Sequence, residues 1–306
     1  MAKYIFKRLI SIILTLFILA TITFFMMHSV PGGPFDTEKK LPPELEEAML
    51  EKYDLDLPVY QQYFNYMKDL LKLDLGPSFK NQGEMVNEMI ISRFPVSARV
   101  GIMAIIMLIV IGIPMGLITG FNSGSIIDRV VIAISTFGIV VPSFVLATIL
   151  LYIFSVKLQI FPFYGIQDSK GFILPAISLA GFSVAYFAKL TRSSVLDVMS
   201  QDYIITADAK GLKKSTIIFK HVLKNAMIPV ITVLGPAIAS LLTGTFVIEK
   251  IFGLPGIGKY FVEGIANRDY GVIMGITLFY AVILSIMILI VDLLYAVIDP
   301  RIDVKE

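Results

Sequence analysis

Of the 306 residues, 56% are hydrophobic and only 16% are charged, with a mean hydropathy of +0.81. Soluble domains carry about a quarter charged residues, so this apolar excess is more than one globular core can hide and points to a bilayer as solvent. A net charge of +2 with no basic block gives no support to nucleic-acid binding; the absence of cysteine excludes disulfides and thiolate metal sites, and two distant histidines, His28 and His221, argue against histidine-rich metal chemistry.

Apolar runs of about twenty residues suffice to cross ~30 Å of hydrocarbon. The first is Leu9 to Met27, behind Lys3, Lys7 and Arg8. No small-x-small cleavage site follows it, so it reads as a retained anchor rather than a signal peptide. The second is Ala104 to Phe121, extending upstream toward Val96 despite Arg99. Val130 to Val156 is uncharged over 27 residues and is expected to tilt, or to kink at Pro142. Phe172 to Ala188, Ala226 to Ile248 and Gly271 to Val291 complete six expected spans in an all-α integral membrane protein.

Lysine and arginine near the span ends set the orientation. The first span follows three basic residues, whereas Val30 to Pro95 carries twelve acids against seven bases and belongs outside. Arg192 to Lys224, with six bases against three acids, belongs inside. Both termini are then cytoplasmic. The expected organisation is 1–29 as tail and first span, 30–95 as an outer helical segment, 96–298 as a five-helix core containing the loop 192–225, and 299–306 as a C-terminal tail.

In the outer segment, Pro42 and Pro43 can open a helix through Glu44 to Lys52. Tyr60, Tyr63, Phe64, Met67 and Leu71 follow at helical spacing and give one apolar face. That face reads either as a cap on the spans or as a docking surface. In the inner loop, Asp202 can cap a short helix Tyr203 to Lys210, and Gly211 supplies a left-handed stop. Ser215 can cap a second helix, with Ile218 and Val222, and Phe219 and Leu223, paired at i,i+4. Two readings stand for this elbow: a rigid part that transmits force from a cytosolic partner, or a solvated basic loop that only fixes topology.

Catalytic chemistry finds no footing. Gly253 to Lys259 has the spacing of a phosphate-binding loop, but Tyr260 stands where Ser or Thr is needed for magnesium, and the run follows a span rather than a strand. It reads as a glycine-proline turn. Arg99, Lys189, Glu249 and Asp292 fall near the expected span ends, and His28 at an outer edge. The span centres are thus almost free of charge, which argues against a proton-coupled transporter. Gly112, Pro114, Gly116, Pro142, Pro175 and Gly235-Pro236 are assigned to packing. Phe137, Phe144 and Tyr152 are assigned to lipid contact rather than a conduit.

Several motifs carry a resemblance. Asp202-Tyr-Ile-Ile-Thr-Ala-Asp-Ala-Lys-Gly211-Leu is similar to the coupling loop of importer permeases, whose general pattern Ala207, Gly211 and Leu223 match while Ile205, Thr206, His221 and Lys224 depart from it. Pro31-Gly-Gly-Pro-Phe35, Leu75-Gly-Pro-Ser-Phe79, Glu249 to Gly258, Asn267-Arg-Asp-Tyr270 and Asp299-Pro-Arg301 follow in order. The chain resembles the permease subunits of peptide-importing ABC transporters, and looks most like the B-type subunit of bacterial oligopeptide permeases, with dipeptide and nickel importers as alternatives.

The resemblance implies the type I ABC importer permease fold in a bacterial cell membrane. It implies a second, C-type permease, two cytosolic ABC ATPases that hydrolyse the ATP, an extracytoplasmic peptide-binding protein and a peptide substrate. The subunit itself is expected to be non-catalytic and to hold no cofactor. The resemblance also assigns ATPase coupling to Asp202, Tyr203, Ala207, Ala209, Lys210, Gly211 and Leu212, which favours the rigid-elbow reading.

Overall fold

A computed structural model describes residues 2–30, 32–35, 42–81, 83–166, 168–243 and 246–298. Pro31 of the first motif, the closing Asp299-Pro-Arg301 and the tail 299–306 lie outside the described residues. Among those described, the chain is helical, with no strand beyond an isolated antiparallel bridge between Pro77 and Met85.

Among the described residues, five helical runs are long and apolar enough to cross a membrane, and a sharply bent pair makes a sixth if it counts as one span. The first is α1 (Ala2–Ser29). The outer segment holds α2 (Pro43–Lys52) and α3 (Val59–Leu70), each entered through a proline whose fixed φ suits a helix start. Next come α4 (Val86–Met107) and α5 (Ile113–Phe121), joined without a break by a wider π-type turn at Leu108–Gly112. Pro114 explains that turn, because its ring would clash with the carbonyl four residues back in a regular α-helix. The Val86–Phe121 run has 36 residues, about 54 Å of helix. This exceeds the ~30 Å hydrocarbon thickness, so part of it must stand clear of the membrane.

The third expected span differs from expectation. It is two helices, α6 (Ile126–Val140) and α7 (Ser143–Leu150), the latter continuing as a π-type stretch Leu151–Lys157. They are bent by 105°, a break rather than a kink. The cause is local: Val141, preceding Pro142, is driven to extended dihedrals (φ −76°, ψ 119°) and cannot continue the helix.

The fourth span does not end at Ala188. A 3₁₀ turn (Ser169–Phe172) leads into α8 (Ile173–Met199). The elbow helices are α9 (Asp202–Ala209) and α10 (Lys214–Thr216), and a π-type turn Ile217–Val222 carries α10 into α11 (Leu223–Thr243). The order closes with α12 (Phe246–Phe252), α13 (Ile257–Asn267) and α14 (Tyr270–Ile298). The glycine-proline turn stands where the phosphate loop was rejected: Gly253 has φ +65° and Gly256 caps α13.

The chain divides into two compact units. One joins the residues up to Val96 with Pro255–Ile286, and the other joins Ser97–Leu254 with the end of α14 from Met287. In the first unit, Val86, Met89 and Ile90 of α4 pack with Ile257 of α13 and with Val272 and Ile276 of α14. A second cluster sets Phe24 of α1 against Tyr63 and Tyr66 of α3 and against Tyr270 and Met274. Burial there pushes the Tyr66 hydroxyl upward from its ordinary pKa. The packed face of α3 is therefore only partly the expected one, since Tyr60, Phe64 and Leu71 are exposed.

In the second unit, α5 and α8 pack through a stripe of glycines. A methyl group on Gly112 would lie 3.0 Å from the Val184 carbonyl oxygen, one on Gly116 2.5 Å from that of Ala188, and one on Gly120 2.7 Å from Val195 Cβ. Small residues at four-residue spacing let helix backbones approach this closely. The packing role assigned to Gly112 and Gly116 is what the structure shows.

Candidate functional site

The elbow is built into one end of the second unit. On α9, Ile204 and Ala207 are buried in a cluster with Val195 of α8 and with Ile217, Val222 and Ala226; Leu117 and Phe121 of α5 pack against it. Their i,i+3 spacing puts both anchors on one helical face. The opposite face carries Ile205 and Ala209, with Tyr203 and Lys210 at its flanks, all exposed and followed by exposed Gly211 and Leu212. Asn225 Nδ2 donates to the Tyr203 hydroxyl at 2.9 Å, tying the elbow to α11.

Three local expectations need correction. The N-cap is Gln201, not Asp202, which occupies the first turn of α9, where its charge suits the helix dipole. Lys213 rather than Ser215 precedes α10, and neither cap makes a side-chain hydrogen bond. The inward residues of the second helix are Ile217, Val222, Ala226 and Val230. The π-type turn inserts a five-residue step and so rotates the buried stripe away from the regular i,i+4 pairs. Phe219, expected to pair with Leu223, is 72% exposed.

The stop at Gly211 has the full Schellman geometry. Gly211 has φ +70°. Its N–H donates to Asp208 O at 2.9 Å, and the Leu212 N–H donates to Ala207 O at 3.3 Å. Backbone hydrogen bonds thus fix the direction in which Lys210, Gly211 and Leu212 leave α9.

Two polar constellations missed in the sequence brace their units. Arg192 of α8 forms a two-pronged ion pair with Asp128 of α6, Nε to Oδ1 at 2.5 Å and Nη2 to Oδ2 at 2.9 Å, and the Gly124 N–H adds a third bond at 2.8 Å. This pins the turn after α5 to α8, near the elbow cluster. In the first unit, buried Asp269 accepts from Ser78 Oγ at 2.5 Å, Phe79 N at 3.0 Å and Lys80 N at 3.2 Å. The motifs Leu75–Phe79 and Asn267–Tyr270 therefore meet across 191 residues. Glu249 is also no span-end charge at the surface; it is buried and accepts from Ser97 Oγ at 2.6 Å. Among the described residues no group of histidine or carboxylate side chains could hold a metal ion.

The family model of the binding-protein-dependent transport system inner membrane component matches residues 112–304, and its N-terminal companion matches residues 1–101. The chain belongs to this family. The dipeptide transport system permease protein DppB of Bacillus subtilis is 45% identical over 100% of this chain and 99% of that protein. The oligopeptide transport system permease proteins OppB of Haemophilus influenzae and Escherichia coli are 43% and 42% identical, each over 99% of both chains. A solved structure of the MetNI methionine ABC transporter, in inward-facing conformations, superposes with a TM-score of 0.57 at 16% identity, over 69% of this chain and 96% of that one. The fold is thus the type I ABC importer permease fold expected of a multi-pass membrane protein in this family, and the elbow lies within the main family match.

Proposed function

We infer that this chain is the B-type membrane subunit of an ATP-driven peptide importer. It forms part of the translocation path and receives the mechanical stroke of separate ATPases. The observation that carries this reading is the elbow: a short helix anchored by Ile204 and Ala207, stopped by Gly211 and bonded to α11, with exposed Tyr203, Ile205 and Leu212 offered outward. A solvated loop needs no such anchoring. The relatives' names supply the cargo class, and full-length similarity to dipeptide and oligopeptide permeases alike supports peptide without selecting a length.

In this reading the elbow seats in a groove of a cytosolic ABC ATPase. Closure of the ATPase pair on ATP pushes on α8 and α11, which the elbow cluster joins to α5. The spans then alternate between two arrangements of one cavity, and the subunit makes and breaks no covalent bonds. A C-type permease completes the path, a binding protein delivers peptide from outside, and both termini lie in the cytoplasm. Co-purification tests the assembly: this chain, tagged, should retain a second permease and two ATPases. Peptide uptake that survives deletion of those ATPases would refute the reading in favour of a self-sufficient secondary transporter.

A further inference from the structure

α8 presents a cation that lipid would not accept. Lys189 does not follow the end of a helix; α8 runs on from it to Met199. The ion pair of Asp128 with Arg192 marks the start of α6, where the chain emerges from its turn. A lysine one turn from such a boundary normally snorkels toward water. Lys189 does the opposite. Its Nζ donates to Thr136 Oγ1 at 3.2 Å, and Thr136 stands two turns, about 12 Å, beyond Asp128 along α6. The side chain thus leans toward the N-terminus of α8, as helical Cα–Cβ bonds do.

Lys189 is exposed, and among the described residues no carboxylate pairs with it. Its neighbours on the same α8 face are exposed too: Phe182 and Tyr186, whose rings stack 6.0 Å apart, and Ser193. The opposite face, with Ala188, Thr191 and Val195, packs against α5. An unneutralised ammonium is costly against hydrocarbon, and such groups on a membrane helix face a water-filled path or a polar partner.

Resting on the peptide reading above, we propose that this face of α8 lines the translocation path and that Lys189 receives the carboxylate of the passing peptide's C-terminus. One group then suits many cargoes, because every unmodified peptide ends in a carboxylate whatever its side chains. The Thr136 hydroxyl, which donates to the Ile132 carbonyl at 2.7 Å and accepts from Lys189, holds the ammonium in place, and the stacked rings of Phe182 and Tyr186 offer an apolar surface to variable side chains. An ammonium–carboxylate hydrogen bond is among the strong ones.

The assembled transporter in proteoliposomes tests this in two steps. The chain has no native cysteine, so Lys189→Cys introduces its single thiol, followed as a mass shift of this subunit. A charged, membrane-impermeant methanethiosulfonate should modify it, and excess trialanine should protect it, while Ile13→Cys on α1 should stay unmodified. Uptake of trialanine should exceed that of its C-terminal amide by about tenfold, as expected for one hydrogen bond to a charged group. That preference should fall to near one in Lys189→Met and persist in Lys189→Arg. An unreactive Lys189→Cys, or an unchanged acid-to-amide ratio in Lys189→Met, overturns the assignment while leaving peptide import intact. Failure of the native transporter to take up alanine peptides of any length from two to five residues removes the peptide reading itself, and the assignment with it.

Discussion

Gly211 offers a perturbation whose cost can be worked from geometry. A Cβ added there would meet no atom within 4 Å, so crowding inside the chain contributes nothing. What remains is the backbone, held at φ +70° by the two hydrogen bonds that close α9. The left-handed region costs an L-residue about 1–2 kcal/mol, less for asparagine. A β-branched residue belongs at the upper end of the roughly 1–3 kcal/mol range for strained backbone positions. At 1.4 kcal/mol per factor of ten, Gly211→Val should shift the balance between ordered and frayed elbow by up to about a hundredfold, Gly211→Ala by about tenfold, and Gly211→Asn least. Peptide uptake per ATP hydrolysed should fall in that order in proteoliposomes, with the protein still inserted and ATP still consumed. Hydrogen exchange at Asp208 to Leu212 should accelerate in the same order. Equal damage from Asn and Val would mean that a side chain collides with the partner and that backbone geometry is irrelevant. Coupling at the native level in Gly211→Val would refute the rigid elbow altogether.

Ile204→Ala removes a buried anchor of α9, with an expected cost of about 2–5 kcal/mol, while Ile205→Ala, on the exposed face, should leave thermal stability unchanged and weaken ATPase co-purification; equal melting temperatures for the two variants would contradict the assigned faces. Arg192→Lys keeps the charge beside Asp128 but loses the two-pronged geometry, so the detergent-solubilised protein should melt at lower temperature, and Arg192→Met should melt lower still. In the first unit, Asp269→Ala leaves the buried Ser78 hydroxyl and three backbone amides, those of Phe79, Lys80 and Val272, without their acceptor, at roughly 1–3 kcal/mol for each buried donor left unsatisfied. Limited proteolysis between Leu75 and Asn81 should then become faster, and unchanged cleavage would count against the latch.

Much of this protein was legible from patterns that act locally. A run of apolar residues needs a bilayer wherever it sits, so the spans could be read from composition and length. Pro142 breaks a helix by its own ring and by the dihedral limit it sets on Val141, although the size of the bend exceeded expectation. Gly211 is the left-handed stop because only glycine enters that region without penalty. The sequence motifs also identified the permease family before any contact was known.

Other features depend on which residues meet, and helical spacing alone cannot state that. The buried stripe of the elbow followed Ile217, Val222 and Ala226 because one widened turn re-phases the helix. Asp128 with Arg192, and Ser78 with Asp269, are ordinary polar residues until packing brings them within hydrogen-bond reach. Lys189 ended an apolar run on paper, yet its helix continues, since the backbone hydrogen bonds of a helix do not depend on the charge of a side chain. Where that ammonium points was decided by the neighbour α6, which placed the Thr136 hydroxyl within its reach.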